Sequence, residues 1–187
     1  MNHAIYRVDT TTGLLSGARQ FVSPHCDERP PSAGIDLLVI HGISLPPGEF
    51  GGPSIEDFFL GRLPVDVHPY FAGIIRQRVS AHLLIRRDGE VLQFVPFHRR
   101  AWHAGVSVFE GRTACNDFSI GIELEGSDEI PYEDHQYEVL EAVTRSLMQS
   151  YPAIIPARIV GHSDIAPGRK TDPGPTFDWK RLHAALN

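Results

Sequence analysis

The sequence predicts a mixed α and β fold in which one sheet is covered by helices. Three observations carry this. Apolar runs of strand length alternate with segments of helical spacing, an Asp-Gly turn joins two of the runs into a hairpin, and neither an internal repeat nor a low-complexity linker divides the 187 residues. One domain, spanning 1–187, is the expected organisation.

Taken in order, a polar, turn-rich lead that includes SPHCDERPPSAG precedes IDLLVIHG (35–42), a short apolar run bounded by glycine that reads as a buried strand ending on His41. The prolines and glycines of ISLPPGEFGGP make the next segment a loop. SIEDFFLGR predicts a short helix with Ser54 as N-cap, and DVHPYFAGIIRQ a second. RVSAHLLIRRDGEVLQFVPF is a β-hairpin, with Asp88-Gly89 at its turn. FSIGIELEG is a further strand, whose period of two puts Glu123 and Glu125 on one face. In YEDHQYEVLEAVTRSLMQSYP the apolar residues Tyr137, Leu140, Val143, Leu147 and Tyr151 follow helical spacing, and Pro152 stops the pattern. ARIVGH is a last strand, and FDWKRLHAAL a closing helix capped by Asp178.

Composition narrows the function. With 23 acidic against 17 basic side chains, the formal charge of -6 offers no basic excess for nucleic acid or an anionic membrane. The N-terminal stretch MNHAIYRVDTTTGLL has neither the basic nor the apolar region of a secretory signal, and no run reaches the length of a membrane span, so a cytoplasmic protein is expected. Cys26 and Cys115 lack metal-like spacing and are expected as reduced thiols.

Chemistry concentrates at strand ends. His41 follows LLVI and His162 follows RIVG, so each stands where a strand leaves a sheet. Asp172 lies beyond His162 across turn-rich SDIAPGR, a path able to return its carboxylate to the imidazole; two histidines and a carboxylate with one open position form a catalytic zinc set. An Asx turn before Pro173 explains Asp172 equally well. Lys170 shares a side with Asp172 in an extended chain, where it suits an oxyanion or, equally, a solvated surface. Glu123 offers a proton acceptor for an attacking water, with Glu125 its competitor and the exposed face of an edge strand the plain alternative for both. In RAWHAGVS, Trp102 suits stacking on a sugar, against the commoner fate of a core tryptophan. His82, alternating with apolar residues, reads as a satisfied core histidine, while Arg78 and Arg169 suit substrate carboxylates or surface salt bridges.

The motifs LLVIHGISLPPGEFGGP, HPYFAGI, RVSAHLLIRRDGE, RAWHAGVS, CNDFSIGIELEG, YPAI and GHSDIAPGRKTDPGP run nearly from end to end. In them the sequence closely resembles the AmpD-type 1,6-anhydro-N-acetylmuramyl-L-alanine amidases, cytoplasmic zinc amidases related to peptidoglycan recognition proteins. The resemblance implies zinc ligands at His41, His162 and Asp172, a catalytic glutamate at Glu123 and a transition-state lysine at Lys170. It implies a central mixed β-sheet flanked by helices, with zinc at the floor of a surface groove. It also implies an anhydro-muropeptide substrate, cut at the lactyl to L-alanine amide during cell-wall recycling, with an influence on β-lactamase induction. A monomer is the expected state. One departure stands out: close members of the family carry asparagine after the first zinc histidine, where this chain has Gly42, so amide hydrolysis is implied more directly than strict preference for the anhydro sugar. Two other readings fit less of the pattern. A zinc deacetylase shares the water and base but releases acetate, and a muropeptide-binding module leaves the set of His41, His162, Asp172, Glu123 and Lys170 without a purpose.

Overall fold

Strands β5 (Leu37–Ile43) and β11 (Ser119–Glu125) lie side by side and parallel at the centre of the computed structural model, which describes residues 6–186, and β12 (Ile159–Gly161) pairs parallel with β5 at the sheet's edge. The first five residues of the N-terminal stretch read above, and position 187 of the expected domain, lie outside that range. Around this centre run β1 (Val8–Asp9), β2 (Leu14–Leu15), β3 (Arg19–Gln20), β4 (Cys26–Glu28), β6 (Leu83–Ile85), β7 (Val91–Gln93), β8 (Arg99–Ala101), β9 (Val108–Phe109) and β10 (Arg112–Thr113). The main sheet has the order β12-β5-β11-β6-β7-β3; only β6 and β7 pair antiparallel, so the sheet is mixed. β1 with β2, β9 with β10, and β4 with β8 form two-stranded ribbons.

Parallel strands need both faces covered, and the helices supply the cover. On one face, α3 (Asp134–Ser150) turns Tyr137, Leu140, Val143 and Leu147 onto Leu38, Ile40, Ile120 and Ile122, joined by Leu182 and Leu186 of α5 (Trp179–Leu186). On the other, α1 (Ser54–Phe59) and α2 (Phe71–Ile74) bring Ile55, Phe58, Phe59 and Phe71 against Leu84, Leu92 and Phe94. Next to them Leu37 and Val39 pack with Cys115, Phe118 and Ile165, the last from the single-turn α4 (His162–Ile165). Fully burying side chains of this size stabilises the fold by roughly 1.5–3 kcal/mol each.

Most expected elements occupy their expected places. The Asp-Gly hairpin closes with Gly89 at φ 87° and its N–H on the Arg86 carbonyl at 2.9 Å. Asp178 caps α5, its Oδ1 accepting from the Arg181 amide at 3.0 Å. Cys26 and Cys115 are free thiols. Among the described residues no helix is long and apolar enough to cross a membrane.

Three expectations are corrected. Ser54 is the first residue of α1 rather than its cap: Pro53 holds that place, its carbonyl accepting the Asp57 amide at 2.8 Å, and no side chain caps the turn. The second helix shrinks to four residues, because only Phe71 and Ile74 within it find burial. The lead and the segment after the hairpin hold short strands that no periodicity announces, since two or three residues acquire strand geometry only from distant partners, as when Cys26 pairs with Ala101.

Candidate active site

Register builds the site. In the parallel pairing of β5 with β11, His41 lies opposite Glu123; in that of β12 with β5, Gly161 lies opposite Ile40, so His162, one residue on, emerges beside His41. The chain then makes the one turn of α4 and returns, pinned by the Ser163 amide on the Asp172 carbonyl at 3.0 Å. Asp172 thereby swings back to the histidines.

Three donor atoms converge. His41 Nδ1 lies 3.0 Å from His162 Nδ1, and each lies 3.1 Å from Asp172 Oδ2. Tetrahedral ligands about 2.0 Å from a zinc ion are themselves about 3.3 Å apart, so the triangle has the size and the N,N,O chemistry of a metal site with one position open. Among the described residues it is the one cluster of this kind found. The Gly174 amide, which an Asx turn at Asp172 would engage, donates instead to the Thr171 carbonyl at 3.0 Å. Both histidines are buried, and burial, partly opposed by the Asp172 contact, lowers His41 to about 4, which favours the neutral imidazole that a metal needs. Burial works against ionised Asp172 too, but its bonds to His162 and His41 outweigh it and hold the carboxylate below its ordinary range.

Glu123 stands next to this triangle, Oε1 4.0 Å from His41 Nδ1 and the side chain 12% exposed. Its Oε2 is buried without a hydrogen-bond partner. Burial, then the charge of Asp172, raises Glu123 well above the usual carboxylate value, with Lys170 pulling the other way. The competitor, Glu125, shares its face but is spoken for: it accepts from Arg86 Nη1 at 3.2 Å and from the Gly51 amide at 2.6 Å. Both glutamates lie on a strand between β5 and β6, so the edge-strand alternative is excluded.

The site opens into a groove of about 320 Å³. Leu45, Phe58, Phe59, Ile74 and Val79 form an apolar wall, while His103, Glu123, His162, Lys170 and Asp172 form the polar side. Trp102 lines the groove as well, half-buried, its Nε1–H donating to Asp27 Oδ1 at 3.1 Å and its ring stacked on His25. Lys170 is exposed and faces the same space as Asp172. Arg169 lines the neighbouring end of the groove but donates through Nη2 to the carbonyls of Ala104 and Val106 at 2.6 and 2.7 Å. Arg78 is exposed and does not itself line the groove, although its chain neighbours Gln77 and Val79 do. His82 is a satisfied core histidine, accepting the Gly121 amide at Nδ1 and donating from Nε2 to the Arg99 carbonyl. Sequence reasoning assigned no part to His103, Asn116 or Tyr132, whose partners come from segments far apart in the chain.

At the carboxyl ends of its parallel strands the sheet thus carries a His, His, Asp cluster of metal-binding size beside a glutamate with one buried, unpartnered oxygen. Residues 30–175 match the family of N-acetylmuramoyl-L-alanine amidases, and the chain belongs to it. It is 62% identical to the 1,6-anhydro-N-acetylmuramyl-L-alanine amidase AmpD of Enterobacter cloacae over 93% of this chain and 92% of that one. To AmpD of Escherichia coli strain K12 it is 59% identical over 94% and 95% of the two chains. A crystal structure of a selenomethionine AmpD derivative superposes with a TM-score of 0.92 at 58% identity, covering 96% of this chain and 99% of that one. A complex of the amidase AmiD from E. coli with anhydro-N-acetylmuramic acid-L-Ala-D-γ-Glu-L-Lys superposes with a TM-score of 0.59 at 32% identity, covering 84% and 60%.

Proposed function

We propose that this protein is a zinc amidase that hydrolyses the lactyl to L-alanine amide of 1,6-anhydro-N-acetylmuramyl peptides, releasing the stem peptide. The observation that carries this reading is the buried, unpartnered Glu123 Oε2 beside the triangle of His41, His162 and Asp172. Similarity to the AmpD enzymes supplies the substrate class.

His41, His162 and Asp172 would hold the metal, and their nitrogen and oxygen donors suit zinc. When bound, zinc supplies Lewis acidity towards the amide carbonyl and an attacking water. Glu123, whose Oε2 is buried beside the triangle without another hydrogen-bond partner, accepts the proton as water oxygen bonds to the carbonyl carbon. Lys170, facing the same groove, is placed for the negative charge that develops on the carbonyl oxygen. Glu123 then returns the proton to the departing nitrogen as the C–N bond breaks, leaving a lactyl carboxylate and a free L-alanine amine. Trp102 and the apolar wall suit a sugar face, and the exposed Arg78 a stem-peptide carboxylate. Arg169 contributes through Nη1, since Nη2 is held by backbone carbonyls. The whole chain, 1–187, acts as one amidase domain, monomeric and cytoplasmic in this reading.

Mass spectrometry of products from zinc-loaded protein tests it, with 1,6-anhydro-N-acetylmuramyl tripeptide and its non-anhydro counterpart as separate substrates. Intact peptide released from the anhydro substrate is expected. Release from both broadens the sugar preference, acetate release in place of peptide makes the protein a deacetylase, and no release from either refutes the amidase reading.

A further inference from the structure

One dipeptide reaches both metal histidines from behind. His103 Nδ1 lies 2.9 Å from His41 Nε2, and the adjoining Ala104 carbonyl accepts from His162 Nε2 at 3.1 Å. A neutral imidazole carries one N–H, so a ring that gives Nδ1 to a metal must carry its proton on Nε2. His162 has that arrangement through Ala104. For His41 it requires His103 to accept at Nδ1, which places the proton of His103 on Nε2, 3.2 Å from Ser119 Oγ. The dipeptide is itself clamped: Asn116 Oδ1 accepts the amides of His103 and Ala104 at 3.1 and 2.8 Å. Beneath the ring lies Gly121 of β11, where an added Cβ would stand 2.5 Å from His103 Cγ and 2.6 Å from Nδ1. The glycine makes room for the ring to lie against the strand.

We propose that His103 is a positioning residue of the metal centre: with the Ala104 carbonyl it holds His41 and His162 with Nδ1 turned to the ion, and the Asn116 clamp and the Gly121 gap fix it in place. This rests on the metal reading above. Outward partners of this kind typically govern metal affinity by about 10- to 100-fold.

Zinc affinity, measured by chelator competition on the full-length protein, separates this role from others, alongside circular dichroism and melting of the metal-free forms. Wild type should bind one zinc. His103→Leu removes the acceptor and Gly121→Ala displaces the ring without removing any hydrogen-bonding group; both should weaken zinc by about 10- to 100-fold. His103→Asn, whose amide oxygen stands near the place of Nδ1, should stay within about threefold of wild type. If His103→Leu does not fold, the contrast between Gly121→Ala and His103→Asn decides. Folded variants with wild-type zinc affinity overturn the inference and leave the metal reading intact, and a change confined to KM at saturating zinc makes His103 a substrate contact instead. A wild type that takes up no zinc overturns both.

Discussion

Gly42 and Tyr132 form a pair whose energetics follow from one distance. The Tyr132 hydroxyl, buried, donates to the Pro173 carbonyl at 2.8 Å, and a Cβ on Gly42 would stand 2.3 Å from that oxygen. The next atoms are Pro173 Cα at 3.5 Å and Tyr132 Cζ at 3.6 Å, both ordinary contacts. Gly42→Ala must therefore push the hydroxyl off its partner, adding about 1–3 kcal/mol of overpacking to about 1–3 kcal/mol for the buried bond. Tyr132→Phe loses the bond alone. In the Tyr132→Phe background the added methyl has room, and reduced backbone freedom in the unfolded chain makes Gly42→Ala neutral or stabilising by up to about 1 kcal/mol. The double variant should thus be more stable than Gly42→Ala alone, with a coupling of about 2 kcal/mol or more, equivalent to roughly 4–8 °C in Tm for a chain of this size. Urea denaturation of the four proteins in excess chelator measures it free of metal linkage. Effects that add to within about 0.5 kcal/mol would refute the reasoning.

Three further outcomes are expected. Glu123→Gln should lower turnover by about 10²- to 10⁴-fold while keeping zinc. Because the folded-state pKa of Glu123 is raised, its stabilising protonation is complete below the unfolded carboxyl value and is lost as pH rises through the folded one. The stability advantage of metal-free Glu123→Gln over wild type should therefore grow with pH, by about 1.4 kcal/mol per unit of that rise, and a pH-independent difference in urea titrations would contradict it. Lys170→Ala should lower kcat by about 10- to 10³-fold with a smaller change in KM. Since Lys170 opposes the raised pKa of Glu123, the acid limb of kcat/KM should also move to higher pH, as a pH-rate profile will show. Zinc at 100 times its dissociation constant should add about 2.7 kcal/mol to stability, and equal melting with and without chelator would exclude a folded-state metal site.

Much of this was legible in the sequence, and the failures share a cause. The strand ending on His41, the hairpin around Asp88-Gly89 and the helix from Asp134 each carry their own periodicity or turn chemistry, so local reasoning finds them. His41 and His162 were visible as strand ends. Asp172 was visible only as one member of a combination, because a turn-rich segment has no periodicity to say where it returns. Glu123 and Glu125 are indistinguishable by a period of two; what separates them is Arg86, at the end of a different strand, which takes Glu125 and leaves Glu123 free. Arg169 was similarly ambiguous, its fate decided by carbonyls in the loop that follows Trp102.

The deepest of these non-local facts is register. Leu37, Leu38, Val39 and Ile40 are all fully buried, so β5 has apolar cover on both faces and cannot set its alignment by turning one face to water. Something else must distinguish the faces, and the glycines do. Gly121 admits the His103 ring and Gly42 the Tyr132 hydroxyl, each at a distance no side chain tolerates. Sliding β11 by one residue would bring Ile120 or Ile122 under the imidazole and turn Glu123 away from His41 in the same movement. The small residues that fix the strands' alignment are thus neighbours of the groups that need it, and a slipped sheet is penalised by clash where it would also lose its site.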